Sequence, residues 1–151
     1  MHLTPMLSEQ ATYYRTALLL GLVRDDRVHA WAERVIELEP EPPPAFFEIV
    51  SVAPGDLSGL RHALWPLVID PEPAVVLDAL FAAVHSDLTN GRRGLADTLT
   101  VLRQMRSMLK LPVPVYAGLN AALVAHADNP QGAVISSWLR SFAPSHDAER
   151  W

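Results

Sequence analysis

The stretch from Asp25 to Pro44, DDRVHAWAERVIELEPEPPP, decides the fold. In its first part, apolar side chains recur at spacings of three and four, while charged ones occupy the opposite face, as in an amphipathic helix. Its second part is glutamate and proline, and proline ends helices because it lacks a backbone donor. The pattern predicts a helix over about Arg27–Leu38 and a stiff, extended linker over Glu39–Pro44. The predicted buried face of this helix consists of Val28, Trp31, Ala32, Val35 and Ile36.

The same alternation of helix-periodic blocks and prolines extends along the whole chain. Its 13 prolines fall mainly between apolar blocks, and no block shows the sustained period of two that a strand requires. We therefore predict an all-α fold, an irregular bundle of about eight short helices arranged as helical hairpins; a short helical-repeat solenoid is the alternative. The other seven predicted helices cover about Ser8–Leu22, Pro44–Val52, a segment with Leu60, Leu64, Trp65 and Leu67, then Ala74–Leu88, Arg93–Leu111, Tyr116–Ala127 and Gly132–Phe142.

Several helix ends can be assigned from capping residues. We expect Ser8 to cap the first helix, and Asp25 or Asp26 to cap the second. Asp70 should cap the fifth, with Pro71 and Pro73 in its first turn. The segment Leu111–Val115, with prolines at 112 and 114, is predicted to be extended.

Length and composition favour one domain. The chain has 151 residues, half of them apolar, which is enough to bury a sizeable core. We predict a single α-helical domain over residues 1–143 and a flexible tail over 144–151. The absence of cysteine, a start without a basic region, and apolar runs too short to cross a bilayer lead us to expect a cytoplasmic protein.

The segment from Glu37 to Pro44 carries a local concentration of acidic charge. The net charge is −5, which disfavours nucleic acid and membrane surfaces as partners. Glu37, Glu39 and Glu41 lie on the segment that leads into Pro44, where the backbone is already extended. We predict that they bind another protein, one with a basic surface; the alternative is a solvated loop between helices.

Two further groups of side chains could carry chemistry. Asp78 and His85 are seven residues apart on the most apolar helix, and Arg106 lies within a leucine stripe. Because buried ionisable groups need partners, these three could line a polar pocket, and we expect Arg106 to pair with a carboxylate of another helix. His29 and Glu33 are one turn apart but supply only two of the three or four ligands that a metal needs. We predict no metal and no cofactor.

One further pattern covers the first third of the chain and consists of helix-packing residues and part of the linker. Its segments are Gly21-Leu-Val23, Asp26, Val28, Trp31-Ala-Glu33, Val35-Ile36, Pro42-Pro43 and Phe47-Glu48-Ile49. This pattern resembles small all-helical bacterial proteins, mostly of unknown function, some of which are similar to immunity proteins encoded beside secreted toxins. The resemblance implies a cytoplasmic binding module and assigns no catalytic residue.

Three functions are therefore open. We predict a non-enzymatic protein-interaction module, with an immunity protein that binds a toxin as one version. The first alternative is a small-ligand-binding protein or enzyme with a polar pocket between helices. The second is a subunit of a larger bacterial assembly, in which Phe46, Phe47 and Trp138 make the contacts.

Overall fold

The computed structural model describes residues 4–69, 74–146 and 151, and they form an all-α fold. These residues contain no strand, which confirms the predicted fold class. Short 3-10 turns at Trp65–Leu67 and Ala143–Ser145 accompany the helices. The helices are α1 Pro5–Leu20, α2 Asp25–Leu38, α3 Pro44–Ser51, α4 Leu57–Leu64, α5 Ala74–Thr89, α6 Leu95–Met108, α7 Val113–Asp128 and α8 Ala133–Arg140.

The described residues fall into two compact units. The first contains residues up to Val76 together with Trp151, and the second contains residues from Leu77 onward, so that the boundary lies within α5. The single domain over residues 1–143 stays a prediction beside this division.

The core of the first unit is a chain of aromatic rings that joins α1, α2 and α3. Trp31 is only 2% exposed, and its ring centre lies 4.9 Å from that of Tyr14 and 5.2 Å from that of Phe46. The indole nitrogen of Trp31 donates a hydrogen bond of 3.1 Å to Oε1 of Gln10 on α1. Trp31 is therefore buried together with Val28, Ala32 and Val35, as the helical period predicts.

Trp151 belongs to this aromatic core. Its side chain is 6% exposed and packs on Tyr13 with ring centres 4.7 Å apart. The carbonyl oxygen of Trp151 accepts hydrogen bonds from the Tyr14 hydroxyl, at 2.6 Å, and from the guanidinium of Arg27. At this residue the structure differs from the flexible tail expected over 144–151, because aromatic partners distant in sequence hold the ring.

Ser8 does not cap α1, which corrects the prediction. The helix begins earlier, and Thr4 caps it by accepting the backbone N–H of Leu7. Ser8 is buried one turn inside the helix. Its hydroxyl donates to the carbonyl of Leu67 at 2.9 Å and accepts the N–H of Ile69 at 3.2 Å. These two hydrogen bonds therefore connect α1 to the segment that follows α4.

Replacing this serine should weaken the first unit. Ser8→Ala removes the partner of one buried carbonyl and one N–H, so we expect a loss of about 1–3 kcal/mol in the free energy of unfolding, measured by denaturant melts followed by circular dichroism. The control is Ser51→Ala, because Ser51 is exposed and its hydroxyl bonds only the carbonyl of Phe47 in its own helix. Equal stability of the two variants would contradict a fastening role for Ser8.

The second unit has its own aromatic cluster. The rings of Phe81 on α5, Trp138 on α8 and Phe142 beyond α8 lie with centres 4.9 to 5.2 Å apart. Gly118 of α7 faces the same tryptophan, since a Cβ placed there would lie 2.8 Å from the indole nitrogen. Glycine at this position therefore lets α7 approach α8 closely.

Prolines lie at the starts of helices more often than the sequence pattern predicts. Residues 111–115 are not all extended: Pro112 is the N-cap of α7, and Pro114 lies in its first turn. Proline is tolerated there because the first N–H groups of a helix have no partner within it. Helix α6 is shorter than predicted, since Leu109 is already extended. The predicted cap at Asp70, with Pro71 and Pro73, lies outside the described residues.

Candidate functional site

The predicted acidic residues lie where α2 ends and the linker begins. Glu37 and Glu41 are exposed and Glu39 is half-buried. The linker is short and anchored, because α3 already begins at Pro44 and Pro43 is buried. The negative charge is thus held at the surface beside two packed helices.

Exposed apolar side chains flank these acids. Leu38, the last residue of α2, is 75% exposed, and Phe47 on α3 is 50% exposed. Phe47 also lines a shallow surface depression of about 340 Å³ together with Glu48, Ser51 and Val52. We call the surface formed by Glu37, Leu38, Glu39, Glu41, Phe47 and Glu48 the acidic face. It combines large apolar side chains with carboxylates, and positions 37–48 contain no basic residue; the exposed Arg34 lies one turn before Leu38 on α2.

The acidic face is supported by buried side chains of α2 and α3. Phe46 and Ile49 are fully buried on the inner side of α3, and Phe46 packs on Trp31 of α2. At the other end of α2, the Asp25 carboxylate accepts the backbone N–H of Gly55 at 2.8 Å. That hydrogen bond lowers the pKa of Asp25 below its usual value, because it favours the ionised form.

Only one aromatic side chain predicted as an assembly contact is available at the surface. Phe47 is exposed, whereas Phe46 is fully buried, and Trp138 is half-buried against Phe81 and Phe142. The sequence pattern marks all three as apolar. Which of two adjacent phenylalanines faces outward depends on how α3 packs against α2 and α4.

The structure separates Asp78, His85 and Arg106. His85 lines a groove in the second unit, and neither Asp78 nor Arg106 is among the residues that line it. Asp78 is half-buried on α5, more than one turn before the groove. Arg106 donates a hydrogen bond of 2.8 Å to Oδ1 of Asn120 on α7. The expected carboxylate partner of Arg106 is therefore replaced by a neutral amide.

Apart from His85, the groove is lined by polar side chains that are not among the predicted site residues. It has a volume of about 510 Å³ and is lined by His85, Leu88 and Thr89 of α5, Leu95 of α6, and Gln131, Gly132, Ala133, Ser136 and Arg140 at α8. Residues 133, 136 and 140 are spaced by three and four, so they share a face of α8. This spacing is visible in the sequence, but it does not reveal that the face lies opposite α5.

The other cations beside α5 are already paired. The Asp87 carboxylate lies 3.2 Å from Nε of Arg92 and 3.8 Å from a terminal nitrogen of Arg93. Arg92 also donates to the Ser86 hydroxyl at 3.2 Å. These two arginines therefore hold the turn between α5 and α6.

Metal-binding and membrane-spanning features are both absent from the described parts of the chain. No three or more histidine, aspartate or glutamate side chains there come close enough together to hold a metal ion. No helix over residues 4–69 and 74–146 has both the length and the apolarity to cross a membrane.

Comparison of this chain with protein-family models, with curated proteins and with solved structures finds no match. The resemblance of the first third to immunity proteins therefore stays a prediction.

Proposed function

We propose that this chain is a non-enzymatic protein-binding module whose acidic face receives a basic surface of another protein. The observation that carries the proposal is the joint exposure of Leu38 and Phe47 among four glutamates, with no basic residue over positions 37–48. Large apolar side chains at the centre of a contact and charges at its rim are the arrangement that protein interfaces use.

In the proposed mechanism, the carboxylates and the apolar side chains of the acidic face contribute to different steps of binding. The clustered negative charges of the acidic face attract a positively charged partner over a distance, and this attraction mainly raises the association rate. Phe47 and Leu38 lose their contact with water on binding, so they contribute to the lifetime of the complex. The buried anchors of α3 and the bond between Asp25 and Gly55 support a surface that needs little rearrangement on binding.

The favoured version of this function is immunity against a toxin, in the cytoplasm of a bacterium. It rests on the resemblance of the first third of the chain, and on the charge of the acidic face, which suits a toxin with a basic surface. An enzyme that joins Asp78, His85 and Arg106 is disfavoured, since Asp78 and Arg106 do not line the groove that contains His85.

Neutralising the acids should slow association. The chain is used as bait in a pull-down from its source organism, and the captured protein is then tested for association kinetics. We expect Glu37→Gln, Glu39→Gln and Glu41→Gln together to lower the association rate several-fold at low salt, with the melting transition unchanged, because surface charges add little stability. The difference should shrink as the screening length falls to about 8 Å.

A matched control tests whether the location of the charge matters. Asp97 and Asp128 are exposed on the second unit, so Asp97→Asn with Asp128→Asn removes acidic charge without changing the acidic face. Phe47→Ser should shorten the lifetime of the complex and leave the association rate nearly as it was. If the glutamate variant associates as fast as the control at low salt, the segment is a solvated loop and the proposal fails.

A further inference from the structure

The groove in the second unit has the form of a site for a small molecule. Its walls are the face of α5 that carries His85, Leu88 and Thr89 and the face of α8 that carries Ala133, Ser136 and Arg140. From Ala133 to Arg140 the helix rises about 10 Å. The volume of about 510 Å³ lies within the range of about 300–1,000 Å³ that is usual for ligand sites.

One end of the groove is cationic. Arg140 is exposed at the end of α8, and no described residue of the chain forms an ion pair or a hydrogen bond with its guanidinium. Among the described residues, no carboxylate lines the groove, whereas Arg92 and Arg93 share the carboxylate of Asp87. A planar guanidinium without a counter-ion is suited to bind a carboxylate through two parallel hydrogen bonds.

Hydroxyl and imidazole groups extend the polar wall. Nε2 of His85 lies 3.4 Å from Oγ1 of Thr89, one turn further along α5, and Ser136 lines the opposite wall. Each of these groups can donate a hydrogen bond to an oxygen of an anion. They therefore add to the selection for a negatively charged, oxygen-bearing head group.

The opposite end of the groove is apolar and closely packed. Leu95 lies at this end against Gly132 at the start of α8, and Leu88 adds an apolar side chain to the α5 wall between His85 and Thr89. Gly132 has φ of +77°, and a Cβ there would lie 3.1 Å from a methyl group of Leu95. Only glycine both accepts this backbone conformation and lets the leucine close against the start of α8.

We propose that this groove binds a small organic carboxylate, with the head group on Arg140 and an apolar body on Leu88 and Leu95. The site is separate from the acidic face and has the opposite charge. An extended molecule of about six carbons is comparable in length with the rise of about 10 Å between Ala133 and Arg140.

The full-length chain is titrated with hexanoate, with its uncharged analogue hexanamide and with inorganic phosphate, and binding is followed by the amide shifts in two-dimensional NMR spectra. We expect hexanoate to bind in about the millimolar range or tighter, with shifts concentrated at α5 and α8. Hexanamide and phosphate should each bind at least about tenfold more weakly, because one lacks the charge and the other lacks the apolar body.

Arg140→Gln should weaken hexanoate binding at least about tenfold. Arg103→Gln is the matched control, since Arg103 is exposed on α6 of the same unit and does not line the groove. Equal affinities for hexanoate and hexanamide in the unaltered chain, or equal weakening by the two arginine variants, would overturn the proposal. So would phosphate binding as tightly as hexanoate, since the apolar end would then contribute nothing.

Discussion

Trp31→Ala should lower the free energy of unfolding by about 3–5 kcal/mol, the loss that is typical when a buried tryptophan is truncated. The side chain is 2% exposed and packs between Tyr14 and Phe46, so the substitution opens a cavity where three helices meet. It also removes the hydrogen bond from the indole to Gln10. Denaturant melts followed by circular dichroism measure the loss.

Two variants separate packing from a general effect of losing an aromatic ring. Trp31→Phe keeps most of the ring contacts but not the hydrogen bond, so it should cost less than the alanine variant. Phe47→Ala removes a ring that is half exposed and should cost roughly 1 kcal/mol or less. A loss below about 1 kcal/mol for Trp31→Ala would show that α2 turns this face to solvent or to a partner.

The helices could be predicted because a helix that packs on a core repeats its apolar residues every three or four positions, and this spacing is visible in the sequence. The period of α2 predicts one buried face of five apolar residues; four of them are buried, and Ile36 is half-buried. The end of α1 follows from Gly21, which adopts the left-handed conformation. The prediction of helix ends is wrong at Ser8, at Pro112 and at Asp25 and Asp26, which lie in the first turn of α2 while Arg24 is its N-cap. At these positions the residue type suits more than one role, and tertiary contacts such as that of Asp25 with Gly55 decide between them.

The contacts between distant segments could not be read from that spacing. The partners of Ser8 are Leu67 and Ile69, and the ring of Trp151 packs on Tyr13 near the other end of the chain. No periodic pattern links residues so far apart, because the match depends on the packing of whole helices.

In the candidate sites too, some features follow from local sequence and others depend on how the helices pack. Exposure of Glu37 and Glu41 follows from the polar face of α2 and the proline-rich linker. Arg140 acquires its candidate role only because α8 lies opposite α5. Arg106 was expected to need a carboxylate, but a half-buried guanidinium can be satisfied by an amide oxygen, and Asn120 supplies it.

Trp151→Ala should also destabilise the first unit, by about 3–5 kcal/mol, because it truncates a buried aromatic side chain. The substitution keeps the backbone carbonyl that accepts from Tyr14 and Arg27. It therefore tests whether the ring on Tyr13 holds that carbonyl in place.

Denaturant melts give the loss in stability of Trp151→Ala, and hydrogen exchange of α1 shows whether the helix that carries Tyr13 and Tyr14 opens more often. Trp151→Phe should recover much of the stability, since a smaller ring can still pack there. If Trp151→Ala changes stability by less than about 0.5 kcal/mol, as a surface substitution does, the ring does not contribute to the core, and the flexible tail expected over 144–151 is the better description.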